Sequence, residues 1–223
     1  MEAILALEID KESGKKNYVG LYSDYYRAED NLARLKITGE TEDFYDVQDE
    51  ILFSDWRVDD NYYGAMSVLQ KTPQGQYLLH CFGIGYVGRT SCTVDWSVKI
   101  NLTDELGVTN VNGMCTNKSA NYTYFCDDHT IYWVDNAYDE DWGEIKTFDK
   151  KIVTISDQSI FSRYSDFPVN LAIGFEDGSV EIWGIDRKDP GIFTGRVFTS
   201  GNSYGKIKQI LGKAGNSAYF FIN

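Results

Sequence analysis

Leu171-Ala-Ile-Gly-Phe-Glu-Asp-Gly-Ser-Val-Glu-Ile-Trp-Gly-Ile-Asp186 is the stretch on which the reading of this chain turns. An apolar run, a tight Asp-Gly turn and a second apolar run ending on an acid describe two antiparallel strands. Tyr122-Thr-Tyr-Phe-Cys-Asp-Asp-His-Thr-Ile-Tyr-Trp-Val-Asp135 is a phrase of the same build. Recurrence at about 45 residues is the spacing of a four-stranded propeller blade. One such sheet cannot bury both of its own faces, so a repeat of this kind must stack on neighbours.

Alternation of apolar and polar residues extends the strand pattern outward in both directions. It marks Ala3–Ile9, Asn17–Tyr22, Ile51–Trp56, Tyr63–Gln70, Gln76–Phe82, Thr90–Lys99, Thr109–Thr116 and Glu144–Phe148. Beyond these come Lys151–Ile155, Arg196–Thr199, Lys206–Gly212 and Ala218–Ile222. Turn chemistry separates them at Gly14, Thr72-Pro-Gln-Gly75, Asn117–Asn121 and Asp177-Gly178. Ser23–Lys36 alone reads as a helix, capped by Ser23 or Asp24, with Ala28, Leu32 and Leu35 near one face.

Taking the strand after each tight turn as a marker gives Ile4–Asp10, Ile51–Trp56, Cys92–Trp96, Ile131–Asp135 and Val180–Asp186. The expectation is therefore an all-β chain forming a single domain over residues 1–223, a small closed β-propeller of about five blades. Pairing Ala218–Asn223 with Ile4–Asp10 places the two termini in one blade and removes two free sheet edges. A β-sandwich or barrel is the alternative, giving the same alternation without the period.

Gly174-Phe-Glu-Asp-Gly-Ser-Val-Glu-Ile-Trp183 resembles the turn and exit strand of a WD-repeat blade. That resemblance covers one blade well and Tyr122–Asp135 loosely, and it implies a propeller scaffold that binds proteins. The family's Gly-His dipeptide and its Asp-His-Ser/Thr-Trp network have no counterpart here. Ala172–Asp186 followed by Gly205-Lys-Ile-Lys-Gln-Ile210 resembles, more weakly, the propeller region of gut Bacteroidetes lipoproteins carrying a PKD-like domain. That second resemblance implies a cell-surface location and a leader missing from the chain.

Sixteen Tyr, twelve Phe and five Trp among 223 residues suit pleated, half-buried strands. The formal charge of -13 disfavours nucleic acid, whose phosphates demand a cationic face, and disfavours an anionic membrane surface equally. It admits a basic protein partner. No apolar run reaches about 18 residues, so membrane insertion is not expected. The N-terminus has no signal-peptide pattern, which reads as cytoplasmic as written, or as surface or secreted if a leader has been removed.

Several stretches imitate chemistry without supplying its context. Gly83-Ile-Gly-Tyr-Val-Gly88 matches the dinucleotide fingerprint, but the residues after it are strongly β and open no helix for the pyrophosphate. These glycines are expected in an inter-strand loop. Cys81, Cys92, Cys115 and Cys126 form two evenly spaced pairs that could bridge in a secreted protein, though small buried thiols are the favoured reading. No nucleophile elbow occurs, and His80 and Cys81, adjacent on a strand, point to opposite faces. The expectation is no catalysis, no cofactor and no metal.

Aromatic residues flanked by acids suit a basic peptide surface or the flat face of a sugar. Tyr25, Tyr26, Asp139, Glu140, Asp141 and Trp142 are the candidate binding residues. The expected function is a non-catalytic module that engages a protein partner through acidic, aromatic-bearing loops. The alternatives are a cell-surface carbohydrate-recognition protein and an acidic inhibitor or immunity protein.

Overall fold

The computed structural model describes residues 3–9, 16–22, 33–38, 50–58, 64–87, 91–117, 122–135, 141–157, 169–186, 188–200, 205–212 and 218–222. The chain is all-β, with one short helix among the described residues. The first strands are β1 (Ala3–Ile9), β2 (Lys16–Tyr22), β3 (Ala33–Thr38), β4 (Glu50–Val58), β5 (Gly64–Lys71), β6 (Tyr77–Val87) and β7 (Ser91–Asn101), followed by α1 (Leu102–Leu106). Then come β8 (Gly113–Thr116), β9 (Tyr122–Cys126), β10 (Thr130–Asp135), β11 (Trp142–Thr147), β12 (Ile152–Asp157), β13 (Val169–Phe175), β14 (Val180–Ile185), β15 (Phe193–Thr199), β16 (Ile207–Gly212) and β17 (Ala218–Ile222). They fall into two compact units, one holding β1–β7 with α1 and the other β8–β17.

In the first unit the strands form one sheet in the order β1-β2-β3-β7-β6-β5-β4. Every ladder is antiparallel except β3 with β7, where Lys36, Ile37 and Thr38 pair in parallel with Ser91, Cys92 and Thr93. β3 corrects the expected helix at Ser23–Lys36. Ala33, Leu35 and Ile37 alternate with Arg34, Lys36 and Thr38, and that period of two has won over the weaker helical spacing. Residues 23–32 lie outside the described ones.

β6 and β7 are longer than expected and draw Gly83 and Gly85 into the sheet, in place of the inter-strand loop. The ladder shifts register between Gly83 and Ile84, a usual reason for glycine within a strand. Helix α1 was not expected. Asn101 accepts from the backbone N–H groups of Thr103 and Asp104, and Gly107 closes the other end at φ 67°.

The second unit contains two four-stranded meanders, β8–β11 and β12–β15, and the pair β16–β17. Leu171, Ile173 and Phe175 alternate with Ala172 and Gly174 along β13, and every one of them is buried. The odd-numbered set packs with Cys115, Tyr124, Cys126 and Ile131 of the preceding meander. Ala172 on the other face packs with Val180, Ile207 and Ile210. Sheet β12–β15 is thus covered on both sides, which is why β13 is apolar without interruption.

Lys150 and Lys151, between β11 and β12, stitch the two meanders. Lys150 pairs with Asp177 at 2.8 Å in the β13–β14 turn, and Lys151 with Asp128 at 3.3 Å in the β9–β10 turn. Asp128 also accepts from Asn110 and Asn112, at 3.0 and 2.8 Å, and Asn112 donates to the Ile152 carbonyl at 2.8 Å. These bonds delay the start of β8. Thr109–Asn112 was expected to be strand, but its amide side chains are turned to Asp128.

The terminal strands form ladders β1 with β2 and β17 with β16. Both are local hairpins, with little loop-closure entropy to overcome. Cys81, Cys115 and Cys126 are buried thiols. Cys81 pairs with Val98 and Cys92 with Tyr86, several rungs apart, so these two cysteines are not placed for a bridge.

Gly174 fixes how closely the sheets approach. A β-carbon there would lie 2.9 Å from Thr154 Cγ2 and 3.2 Å from Ile210 Cδ1. Gly174→Ala is expected to destabilise the protein by about 1–3 kcal/mol, read as a lowered denaturant midpoint.

His80 yields a second expectation. Burial, with the charge of Lys99 behind it, lowers its pKa from 6.5 to about 3. The unfolded imidazole binds its proton from pH 6.5 downward and the folded one does not until about pH 3. Stability therefore falls as pH drops through that window. Of the two histidines in the chain, the His80 ring is expected to show neutral NMR shifts throughout folding-permissive pH above 4. A protonated His80 in the folded protein at pH 5 would overturn this.

Candidate functional site: the acidic end of the second unit

The two ends of these meanders differ in how their acids are engaged. At the end bearing the β9–β10 and β13–β14 turns, Asp127, Asp128 and Asp177 are engaged, while Asp149 and Glu176 are exposed. Asp127 accepts from the N–H groups of His129 and Thr130 and from the Tyr132 hydroxyl, at 2.8, 2.6 and 3.0 Å. Hydrogen bonds from Asn112, supported by Lys151 and Asn110, hold Asp128 below the usual carboxylate range. Lys150 and Ser179 hold Asp177 down to about 2.

At the opposite end lie Asp135 and Asp141, flanking the β10–β11 connection, and Asp186 and Asp189 in the β14–β15 loop. Among the described residues here the cation is Lys188, which is exposed. Asp141 is exposed, and its carbonyl accepts from the Asp135 N–H at 2.8 Å.

The β14–β15 loop is built to hold its shape. Asp186 Oδ1 accepts from the N–H groups of Lys188 and Asp189 at 2.8 and 3.2 Å, and Asp189 Oδ1 from that of Gly191 at 3.0 Å. The Asp186 N–H donates to the Ile192 carbonyl, closing the loop at 2.9 Å. This brings Gly191 against the indole of Trp133 on β10, where an added β-carbon would lie 2.8 Å from Nε1. Gly143 leaves room on the neighbouring strand, and Tyr122 meets Trp133 edge-on at 6.2 Å.

Of the residues expected from sequence, Asp141 and Trp142 lie at this end, Trp142 half-buried at the start of β11. Tyr25, Tyr26, Asp139 and Glu140 lie outside the described residues. The register separates the tryptophans: Trp133 pairs with Gly143 and Trp142 with Val134, so they occupy opposite faces of the sheet. Sequence reading missed Trp133, Tyr122 and the Asp186–Gly191 loop as one cluster. The Asp-x-x-Asp-Pro-Gly string is turn chemistry that the sequence reading passed over, and its seat on a distant indole leaves no local signal.

Deeper in the same meanders, Tyr124 is buried near Asp157, and burial followed by that charge raises its hydroxyl pKa well above the ordinary value. Farther along the interface between the sheets, Lys146 Nζ lies 5.0 Å from the centre of the Trp183 ring, which stacks on Phe193 at 5.4 Å. Among the described residues no group of three or more His, Cys, Asp or Glu side chains could hold a metal ion. No described helix is long and apolar enough to cross a membrane. No protein-family model matches this chain, and no curated protein matches its sequence.

Gly191→Ala tests the seat of the loop. It is expected to push the loop off Trp133, red-shift and weaken the protection of that indole in fluorescence quenching, and leave the melting temperature within a few degrees. An unchanged quenching profile would show that the contact does not shape this end.

Proposed function

We propose that this chain is a non-catalytic, propeller-type binding module that engages a basic protein partner through the acidic end of its second unit. The carrying observation is the asymmetry of the two ends. Asp177 and Asp128 at one are matched by Lys150 and Lys151, whereas among the described residues Asp141, Asp186 and Asp189 lie at the other with Lys188, on the elements that carry half-buried Tyr122, Trp133 and Trp142. Exposed negative charge steers an oppositely charged partner, and half-buried aromatic rings supply anchors once it has arrived.

The propeller reading rests on how the meanders stack. Sheet β12–β15 is covered on one face by β8–β11 and on the other by β16, as a blade within a ring is. β4–β7 has the same meander order. A ring of about five blades whose termini share one is the closed form of this architecture and remains part of the proposal.

Affinity capture across a salt series, followed by association kinetics with the captured partner, tests the reading. Replacing Asp139 and Asp141 by Asn and Glu140 by Gln is expected to slow association several-fold at low salt and to flatten its salt dependence. An unchanged on-rate would overturn the proposal. Glycan binding indifferent to salt would replace it with carbohydrate recognition.

A further inference from the structure

Asn112-Gly113 is the one Asn-Gly pair in the chain, and it falls where β8 of the first meander meets β12 of the second. In such a pair the glycine nitrogen can attack the asparagine side-chain carbon, since no β-carbon on the glycine hinders its approach. A new C–N bond forms, the bond to the amide nitrogen breaks, and ammonia leaves with the proton of the glycine N–H. Water then opens the succinimide ring to give aspartate or its β-linked isomer. Water is the sole co-reactant, and nothing is oxidised or reduced.

The folded chain holds these two groups away from reaction. Asn112 Nδ2 donates to Asp128 Oδ1 and to the Ile152 carbonyl, each at 2.8 Å, so both of its hydrogens are committed. Asn112 Oδ1 accepts from Asn110 at 3.3 Å. Three partners thus pin the amide and keep it from turning back on its own chain. The Asn112 backbone N–H donates to the Cys126 carbonyl at 2.9 Å, fixing the residue against β9. Gly113 is buried, and a β-carbon on it would lie 3.1 Å from the Ile155 nitrogen. With β12 this close, the glycine has no room to swing toward the amide. Attack requires the joint to open first.

We propose that Asn112-Gly113 is a self-modification site, at which a transient opening of the joint between β8 and β12 becomes permanent. Opening frees the amide, Gly113 attacks, and the product cannot restore what was lost. Aspartate at 112 has no N–H for the Ile152 carbonyl, and it sets a second carboxylate against Asp128. Lys151, 3.3 Å from Asp128, then faces two acids in place of one. The β-linked isomer lengthens the main chain by a methylene beside Gly113, where the packing on Ile155 leaves no slack. The site is independent of the acidic end and of any partner bound there.

Ageing the purified full chain in mildly alkaline buffer, with peptide mapping by mass spectrometry, tests the proposal. Conversion of Asn112 in the folded chain is expected to run roughly tenfold or more slower than in a synthetic Thr109–Thr116 peptide. Added denaturant should bring it toward the peptide's rate. Equal rates in folded chain and peptide would overturn the proposal, as would an Asn112 that stays intact in the unfolded chain. Asn112→Asp supplies the product directly. The Ile152 N–H, which donates to the Asp128 carbonyl at 2.6 Å, is expected to exchange with solvent roughly tenfold or more faster in that variant. Asp128→Asn, which removes the facing charge, should recover part of that protection when combined with it. If Asn112→Asp does not fold, the aged fraction, separated by its extra negative charge, gives the same reading. Exchange at Ile152 unchanged by the conversion would overturn the proposal.

Discussion

Burial of β13 on both of its faces is the constraint on which the second unit depends. Leu171, Ile173 and Phe175 look one way and Ala172 and Gly174 the other, so neither neighbouring sheet can be removed without exposing a row of side chains to water. The two rows differ in size. Large residues face the β8–β11 meander, and small ones let β16 approach, the usual way that stacked sheets reach close packing. Shape, as well as apolarity, therefore sets the order of the stack.

Polar bonds fix what the apolar contacts leave free. Hydrophobic packing between two sheets tolerates some sliding, whereas hydrogen bonds do not. The Phe148 N–H donates to the His129 carbonyl, the Ile152 N–H to that of Asp128 and the Glu176 N–H to that of Lys151. The connector between β11 and β12 is thus tied to turns in both meanders. Lys150 and Lys151 are largely solvated, so their ion pairs contribute modestly, and it is the backbone bonds that set the register.

Most strands were legible because their period of two coincides with real burial. Tyr122–Cys126, Thr130–Asp135 and Ala218–Ile222 match the observed bounds. The failures share one cause. At Ser23–Lys36 a local cap and a few apolar spacings outvoted the alternation of Ala33, Leu35 and Ile37, whose partners lie on β2 and β7. Gly83 and Gly85 look like loop residues until the long β6–β7 ladder absorbs them. At the candidate site, Asp141 and Trp142 could be picked out by composition. The seat of Gly191 on Trp133 could not, because it joins residues from different sheets and leaves no periodic trace.

The buried cysteines have a consequence for how the chain can be watched. Cys81 lies in the first unit, and Cys115 and Cys126 lie in the second. All three are almost wholly enclosed, and burial raises the Cys126 thiol far above its ordinary value. A thiol held protonated and out of contact with solvent reacts only when the structure around it opens. Each unit therefore carries an internal clock, and the rate at which its sulfur is alkylated measures the breathing of that unit independently of the other.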